Sequence, residues 1–538
     1  MNTPSLLAES FWVPSGRELF LFSPELVLVG TIVALLVVPL IWRRNAYTTA
    51  SIALVGVVMM GIMALLVARE VSGGGQSGLS PSPLSGMLIA DSLSVFFKLI
   101  LALFFTLVVA LWWMGSGRTE RDAPEFFTLL LGSALGMALM VSTQNMLMMV
   151  IAIELASLPS YAIVAFDKRN RLAAEASLKY VIFGSVSAAI MLYGASLLYG
   201  LYGSLEFSVI GAGVYESLLA GTDRAIMGAA LVCLFSGIAF KISAVPFHFW
   251  CPDVFQGARI EVTTWLSVAS KAAGLLLLLR LVQVFCNQAI GDPMTVFYPL
   301  AWFIGIVAAV TCTWGNFAAY KQTSVKRLLA YSSIAHAGFM LMAVAIFAKP
   351  DATGGAMGGS AISAVLLYLL VYVFMNLGAF GVTAMVVWAT GSDSISSFTG
   401  LVRRSPGLAI PMVCCLISLV GLPPFAGFLG KYWVLAALFE HKDASSHLFV
   451  LLAVVGVFNT LFSLYYYMRV IVQMTLRDDD QPAFSSPLGG VVIVNLCAVV
   501  LLGMLIFAGP LKAGTDRYAA NLFTTPVAVA DAHASSDR

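Results

Sequence analysis

Charge is what this sequence has least of. It holds 29 Lys and Arg and 27 Asp and Glu in 538 residues, 10% in all, while 60% of its residues are hydrophobic. A soluble domain carries about 25% charged residues, so no water-soluble fold of this length buries so much apolar surface behind so few charges. A cytosolic enzyme and a disordered protein are excluded. The net charge of +2 offers no field for nucleic acid. Cysteine is scarce too. The seven, Cys233, Cys251, Cys286, Cys312, Cys414, Cys415 and Cys497, form no CxxC or ferredoxin-like run. They read as small apolar residues in helices, not as disulfides, zinc or iron–sulfur ligands. There is no GxGxxG after a strand, no P-loop and no HExxH. The first twenty residues lack a basic stretch ahead of an apolar one, so no cleaved signal peptide is expected.

What is present is a series of apolar runs. The fold class this predicts is all-α, a polytopic membrane protein with about fourteen transmembrane helices. The runs are 21–42, 47–68, 91–114, 124–142, 145–166, 174–202, 225–248, 260–285, 296–318, 326–348, 361–390, 407–440, 447–475 and 487–509. The tail from Gly509 is polar and rich in Ala and Ser, and is expected to be loosely held. Basic residues in short loops give the orientation. Loops on one side hold fourteen, from Arg43, Arg44, Arg118 and Arg121 through Lys168, Arg169, Arg171, Arg259, Lys321, Lys326 and Arg327 to Arg403, Arg404 and Arg477. The opposite loops hold four: Arg69, Arg224, Lys349 and Lys442. The richer side is therefore expected to be cytoplasmic, with both termini outside.

A charge inside an apolar span costs several kcal/mol unless it is paired or hydrated. The basic ones are Lys98, Lys179, Lys241, Lys271, Arg280, Lys431 and Arg469, and the one deep acid is Glu154. Lys98, Arg280 and Arg469 lie near helix ends, where snorkelling is the plain reading. Glu25 reads as a structural or interface carboxylate. Glu154, Lys241, Lys271 and Lys431 point to transport, and Lys179 fits either reading. A lysine taken out of water holds its proton less tightly, and a nearby carboxylate restores the grip. A row of such groups joined by water is a proton wire. Arginine does not give up its proton, and three of these four groups are lysine.

Two spans are broken. Lys241 runs into Ile-Ser-Ala-Val-Pro246-Phe-His248-Phe-Trp-Cys-Pro252-Asp253, and Gly421-Leu-Pro423-Pro424-Phe-Ala-Gly-Phe-Leu-Gly runs into Lys431. Proline removes a backbone donor, and irregular backbone at membrane depth is tolerated only against protein or water. The breaks fall in helices 7 and 12. An odd offset means opposite crossing senses, so two inverted five-helix repeats with sites at the broken helices are expected. The division reads as 1–120, a three-helix segment; 121–285, the first repeat (helices 4–8); 286–475, the second (helices 9–13); and 476–538, the last helix and tail. Helix 10 then carries His336 where helix 5 carries Glu154. His248 and His336 are either satisfied packing residues or relay members.

These residues resemble a known family, the antiporter-like membrane subunits of respiratory complex I, which are related to Mrp-type cation/proton antiporter subunits. The resemblance covers roughly 90–475. It rests on Glu154-Leu-Ala-Ser-Leu-Pro-Ser-Tyr161, Leu178-Lys-Tyr180, the stretch from Lys241 to Ala258, Lys326-Arg-Leu-Leu-Ala-Tyr-Ser-Ser-Ile-Ala-His-Ala-Gly338 and Gly421 to Lys431. It implies that Glu154 is the helix-5 glutamate paired with the helix-7 lysine Lys241. Lys271 is implied as the helix-8 lysine connecting two half-channels. Lys431 matches a helix-12 position that is lysine in one branch and glutamate in its sister. Lys179 and His248 match positions kept polar. The pattern departs at Gly257-Ala-Arg259-Ile-Glu261 and Val268-Ala-Ser270-Lys271, where two family prolines are absent.

The resemblance further implies a proton-translocating, non-redox subunit of NADH:quinone oxidoreductase in the bacterial inner membrane. The alternative is an Mrp-type antiporter subunit. No cofactor is expected in this chain; NADH, FMN, iron–sulfur clusters and quinone belong to partner subunits. The expected partners are other membrane-arm subunits, above all the sister subunit M and the small K-type subunit, together with lipids and no nucleic acid.

Overall fold

The computed structural model describes residues 14–41, 45–73, 86–115, 122–288, 293–347, 357–440, 447–477, 483–484 and 486–523. The crossing elements are α1 (Ser23–Ile41), α2 (Ala46–Gly73), α3 (Ser92–Met114), α4 (Ala123–Ser142), α5 (Met146–Val164) and α6 (Arg171–Tyr202). They continue with α7a (Arg224–Ile242) and α7b (Trp250–Gly257), and α8, which runs from Ile260 to Gln288 through a π-helical turn at Leu266–Ser270. Then come α9 (Pro293–Ala319), α10 (Val325–Val344), α11 (Met357–Thr390), α12a (Pro406–Val420) and α12b (Gly427–Glu440), α13 (Leu448–Thr475) and α14 (Leu488–Ile506).

Thirteen of these, among the described residues, are long and apolar enough to cross a membrane. The fourteenth expected span is α12, whose halves of 15 and 14 residues are each too short alone. A full crossing needs about 20 residues. The six loop residues Arg43, Arg44, Arg118, Arg121, Lys349 and Lys442 lie outside the described residues. Three of the other basic loops meet. Arg259 lies over the Phe166 ring at 5.2 Å, and Lys326 donates to the Gln256 and Ala258 carbonyls at 2.8 Å. These contacts put 166–171, 256–259 and 321–327 on one face, as the charge pattern requires.

Polar residues set the helix ends. Asp91 caps α3 in a reciprocal box with Ser94, Asn145 accepts from the first turn of α5, and Ser324 accepts from Arg327 N in α10. α8, α10 and α11 form the buried axis of the bundle, while α1 and α14 turn most of their surface outward.

Three snorkelling expectations are corrected. Lys98 is buried and paired with the equally buried Glu25 at 2.6 Å, tying α3 to α1. Arg280 is 2% exposed and grips both oxygens of Asp91 at 2.8 and 2.9 Å while donating to the Val141 carbonyl. Arg469 donates to the Tyr320 and Gln322 carbonyls beyond α9. Hydrocarbon offers these groups no water, so each closes on the nearest protein acceptor. The tail is also not loosely held as far as Phe523. Residues Ala508–Phe523 form a helix that packs on α11 and α3, with Ser363 bonded to Thr515 at 2.8 Å and Tyr518 against Phe96 at 5.4 Å. The loop expected after α6 contains a further helix, Phe207–Ala220, whose apolar face packs under α8.

The Arg280–Asp91 fork yields a prediction. Asp91→Ala leaves a buried guanidinium without its carboxylate and should cost roughly 3–5 kcal/mol. Thermal unfolding in detergent checks it, and pairing Asp91→Ala with Arg280→Met should recover most of the loss.

Candidate functional site

The site is built where two helices stop inside the bundle. α7a ends at Ser243, held at φ +65° with its amide turned back onto α7a carbonyls, and α12a ends at Gly421 at φ +85°. Both breaks carry the expected prolines, Pro246 and Pro252 in one and Pro423 and Pro424 in the other. The side chains placed near them by sequence do gather here, in three clusters.

The first cluster surrounds Lys241, which is fully buried. Its ammonium does not meet Glu154 as an ion pair. It donates to Ser157 Oγ at 3.2 Å, and Glu154 acts on it through the Coulomb field alone. The expected Glu154–Lys241 contact is thus corrected, and helical geometry gives the reason. Ser157 lies one turn past Glu154 and faces the bundle. Glu154 is half-buried, on the edge of the outward face that carries Leu147, Ile151 and Leu158.

The second cluster surrounds Lys271, also fully buried. Its ammonium donates to Ser333 Oγ at 2.5 Å and Cys251 Sγ at 3.7 Å, and lies 5.6 Å from the Phe255 ring centre. The π-helical turn ends at Ser270 and so re-aims the side chain that follows it; such turns are frequent at functional sites. The helix starts at Ile260, after Arg259, and runs on without the two prolines of the family pattern. Cys251, read from sequence as apolar filler, is part of this cluster.

His336 and Lys431 form the third cluster, around one small cavity with Cys312, Asn316, Asn459, Ser463 and Tyr466. His336 Nδ1 is 2.6 Å from Tyr368 Oη and its Nε2 is 3.3 Å from Tyr467 Oη. Tyr466 donates to Asn316, whose amide donates to Asn459, which donates to Thr313. Lys431 donates to the Val420 carbonyl at 2.7 Å, one of the acceptors that the break in α12 leaves without a helical partner. Its ammonium lies 5.6 Å from the Phe339 ring centre. Ser333 and His336 sit one turn apart on α10, so that helix connects the second cluster to the third.

Lys179 and His248 lie apart from this row, along an open vestibule with Asp253, Arg327 and Tyr331. The Lys179 side chain is 39% exposed and pairs with Glu175 at 2.7 Å and Asp253 at 2.8 Å; Arg327 reaches the other Asp253 oxygen at 2.6 Å. Lys179 is therefore a rim residue. His248 is buried at the inner end, its Nδ1 without a hydrogen-bond partner among the described residues. Sequence reasoning passed over Ser157, Ser333, Asp253, Arg327 and the tyrosines. Asp253 and Ser333 stood inside the motifs already singled out, Ser333 one helical turn before His336. The tyrosines gave no signal, because an aromatic residue in a span reads as packing.

One feature separates two kinds of buried cation. Lys98 and Arg280 are each locked to a carboxylate. Among the described residues Lys241, Lys271 and Lys431 form no ion pair, and meet a hydroxyl, a thiol and hydroxyl, and a carbonyl. No group of His, Cys, Asp and Glu among the described residues could hold a metal ion.

A family described as NADH:quinone oxidoreductase/Mrp antiporter, transmembrane, matches residues 143–463. NADH-quinone oxidoreductase subunit N of Anaeromyxobacter sp. (strain Fw109-5) is 37% identical over 93% of this chain and 96% of its own length. A chain of respiratory complex I from Thermus thermophilus is 31% identical with a TM-score of 0.71, over 91% of this chain and 98% of that one. A chain of the Mrp complex from Dietzia sp. DQ12-45-1b has a TM-score of 0.76 over 94% and 97%, and at 17% identity it shares the fold alone.

The site depends on close helix contact. A Cβ at Gly136 would lie 2.2 Å from Ala156 N on α5. Gly136→Val should therefore push α4 from α5 and shift Ser157 off Lys241. The expected outcome is a lower unfolding midpoint in detergent than for Gly30→Val, a position where a Cβ meets nothing within 4 Å.

Proposed function

The chain belongs to the NADH:quinone oxidoreductase/Mrp antiporter transmembrane family, and from that premise we propose how it works as a proton-translocating membrane subunit of NADH:quinone oxidoreductase, of the N type. The observation that carries the reading is the absence of ion pairs on Lys241, Lys271 and Lys431, while the off-axis Lys98 and Arg280 have them. A buried ammonium locked to a buried carboxylate of another helix is a tie between helices. One facing only neutral acceptors can lose its proton without stranding a counter-charge, which is what a relay requires.

Protons enter from the vestibule rimmed by Lys179, Asp253 and Arg327, past His248, and load Lys241. Ser157 holds the Lys241 ammonium in place, and the Glu154 charge, at the outward edge of α5, biases it. Lys271 receives the proton next. Ser333 and His336, one turn apart on α10, pass it to the cavity of Lys431. Water in the two breaks completes the chain of hydrogen bonds. Redox chemistry in partner subunits drives the cycle by altering the field at Glu154 and Lys241. The chain itself holds no NADH, FMN, iron–sulfur cluster or quinone.

The neighbours in this reading are the other membrane-arm subunits, above all the sister subunit M and the small K-type subunit, with lipid elsewhere. The charge-rich loops face the cytoplasm of a bacterial inner membrane and both termini face out. Two inverted repeats, 121–285 and 286–475, organise the site. Their support is a recurring contact: Gly136 meets Ala156 and Gly315 meets Ala335, twenty residues on in each half. The Mrp-type alternative has the shared fold and the joint family behind it, against 37% identity to the subunit N relative.

Lys241→Ala and Lys431→Ala are expected to leave the complex assembled, with its NADH–ferricyanide activity intact, and to lower protons pumped per NADH in inverted vesicles. Full pumping in both would sink the axis. Co-purification from native membranes with NADH dehydrogenase subunits separates this reading from the Mrp one.

A further inference from the structure

Lys512 is an interior charge that the axis above does not use. Lys512 sits on the C-terminal helix Ala508–Phe523, beyond the region that matches the family. Its side chain is only 15% exposed. The ammonium donates to Ser363 Oγ at 3.0 Å and lies 4.9 Å from the centre of the Trp433 ring. It also pairs with Asp516, whose side chain is 47% exposed. Ser363 is fully buried and shares a 2.8 Å hydrogen bond with Thr515, which fixes the helix in register.

Both elements that Lys512 touches lead to the third cluster. Ser363 lies on α11 five residues before Tyr368, about 7.5 Å along the helix axis, and Tyr368 Oη is hydrogen-bonded to His336. Trp433 lies on α12b two residues after Lys431. Its indole N–H is buried and has no hydrogen-bond partner among the described residues. Along this line His336, Tyr368 and Ser363 are all buried, Lys512 is 15% exposed and Asp516 is 47% exposed, so only its last member reaches the surface. A structural tie needs a cation and an acceptor. It does not need a cation set between a buried histidine–tyrosine cluster and an exposed carboxylate.

We propose that the C-terminal helix is the release station of the proton path, with Lys512 as its terminal donor and Asp516 as the acceptor at the surface. The inference rests on the axis reading above. The Lys512 ammonium gives a proton to the Asp516 carboxylate, which gives it to outer water. The resulting amine takes the next proton through the Ser363 hydroxyl and water from the Tyr368 side. No covalent bond other than those to the moving proton changes. The helix that looks like a trailing tail in sequence is then the last part of the wire.

The test uses the assembled complex in proteoliposomes. Lys512→Arg keeps the positive charge, the contact with Trp433 and a donor for Ser363 and Asp516, but cannot release a proton. It should preserve assembly and NADH–ferricyanide activity and lose protons pumped per NADH. A tie that is only structural tolerates arginine, so full pumping in K512R overturns the release station. If K512R fails to assemble, Asp516→Asn, at a half-exposed position, carries the same test: reduced pumping supports the proposal and full pumping overturns it. Lys431→Ala is run beside them. Reduced pumping in K431A with full pumping in K512R removes the release station and leaves the axis standing, whereas full pumping in K431A removes the axis itself.

Discussion

A charge in hydrocarbon must find a partner inside the protein, and this one constraint shapes the whole molecule. At the bilayer centre an ionised side chain costs about 3 kcal/mol or more when nothing answers it. Two answers occur here. Glu25–Lys98 and Asp91–Arg280 neutralise each other in direct contact and fasten α1 and α8 to α3. The lysines of the central row touch neutral polar atoms alone, with the Glu154 charge acting on Lys241 from a distance. The first solution joins helices through opposite charges, and the second leaves the cation without a counter-charge in direct contact.

The breaks in α7 and α12 follow from the same constraint. Interrupting a helix exposes carbonyls that lipid cannot satisfy. In α12 the Val420 carbonyl receives Lys431, and in α7 the Phe240 carbonyl receives the indole of Trp250. A broken helix inside a bundle therefore creates acceptors and calls for donors. That is why a lysine and a proline-rich break recur together, and why both breaks lie against the buried elements α8, α10 and α11.

The two ends of the path have different characters. The vestibule is a rim of compensated charge, in which Asp253 serves both Lys179 and Arg327. Its inner wall ends on His248. The other end is covered by a docked helix, where Ser363 and Thr515 hold Lys512 over Trp433. An open vestibule at one end and a docked helix at the other give the row an asymmetry that its similar lysines do not have.

Much of this was legible in the sequence. Apolar runs located every crossing to within a few residues, because the length of a span is set by the bilayer and not by its neighbours. Lys241, Lys271 and Lys431 stood out because a charge in such a run has few bland explanations. Partnership was not legible. Glu154 and Lys241 looked like a pair, yet the turn of α5 gives that lysine to Ser157. Lys98 and Arg280 looked free, yet Glu25 and Asp91, far away in sequence, reach them. The polar tail looked loose, yet Ser363 and Thr515 pin it. Hydropathy is a property of each residue and its near neighbours, so the sequence by itself determined the long apolar spans, their breaks and the few charges worth explaining. Which acceptor each charge meets depends on helix rotation and on contacts across hundreds of residues, and only the tertiary structure decided that.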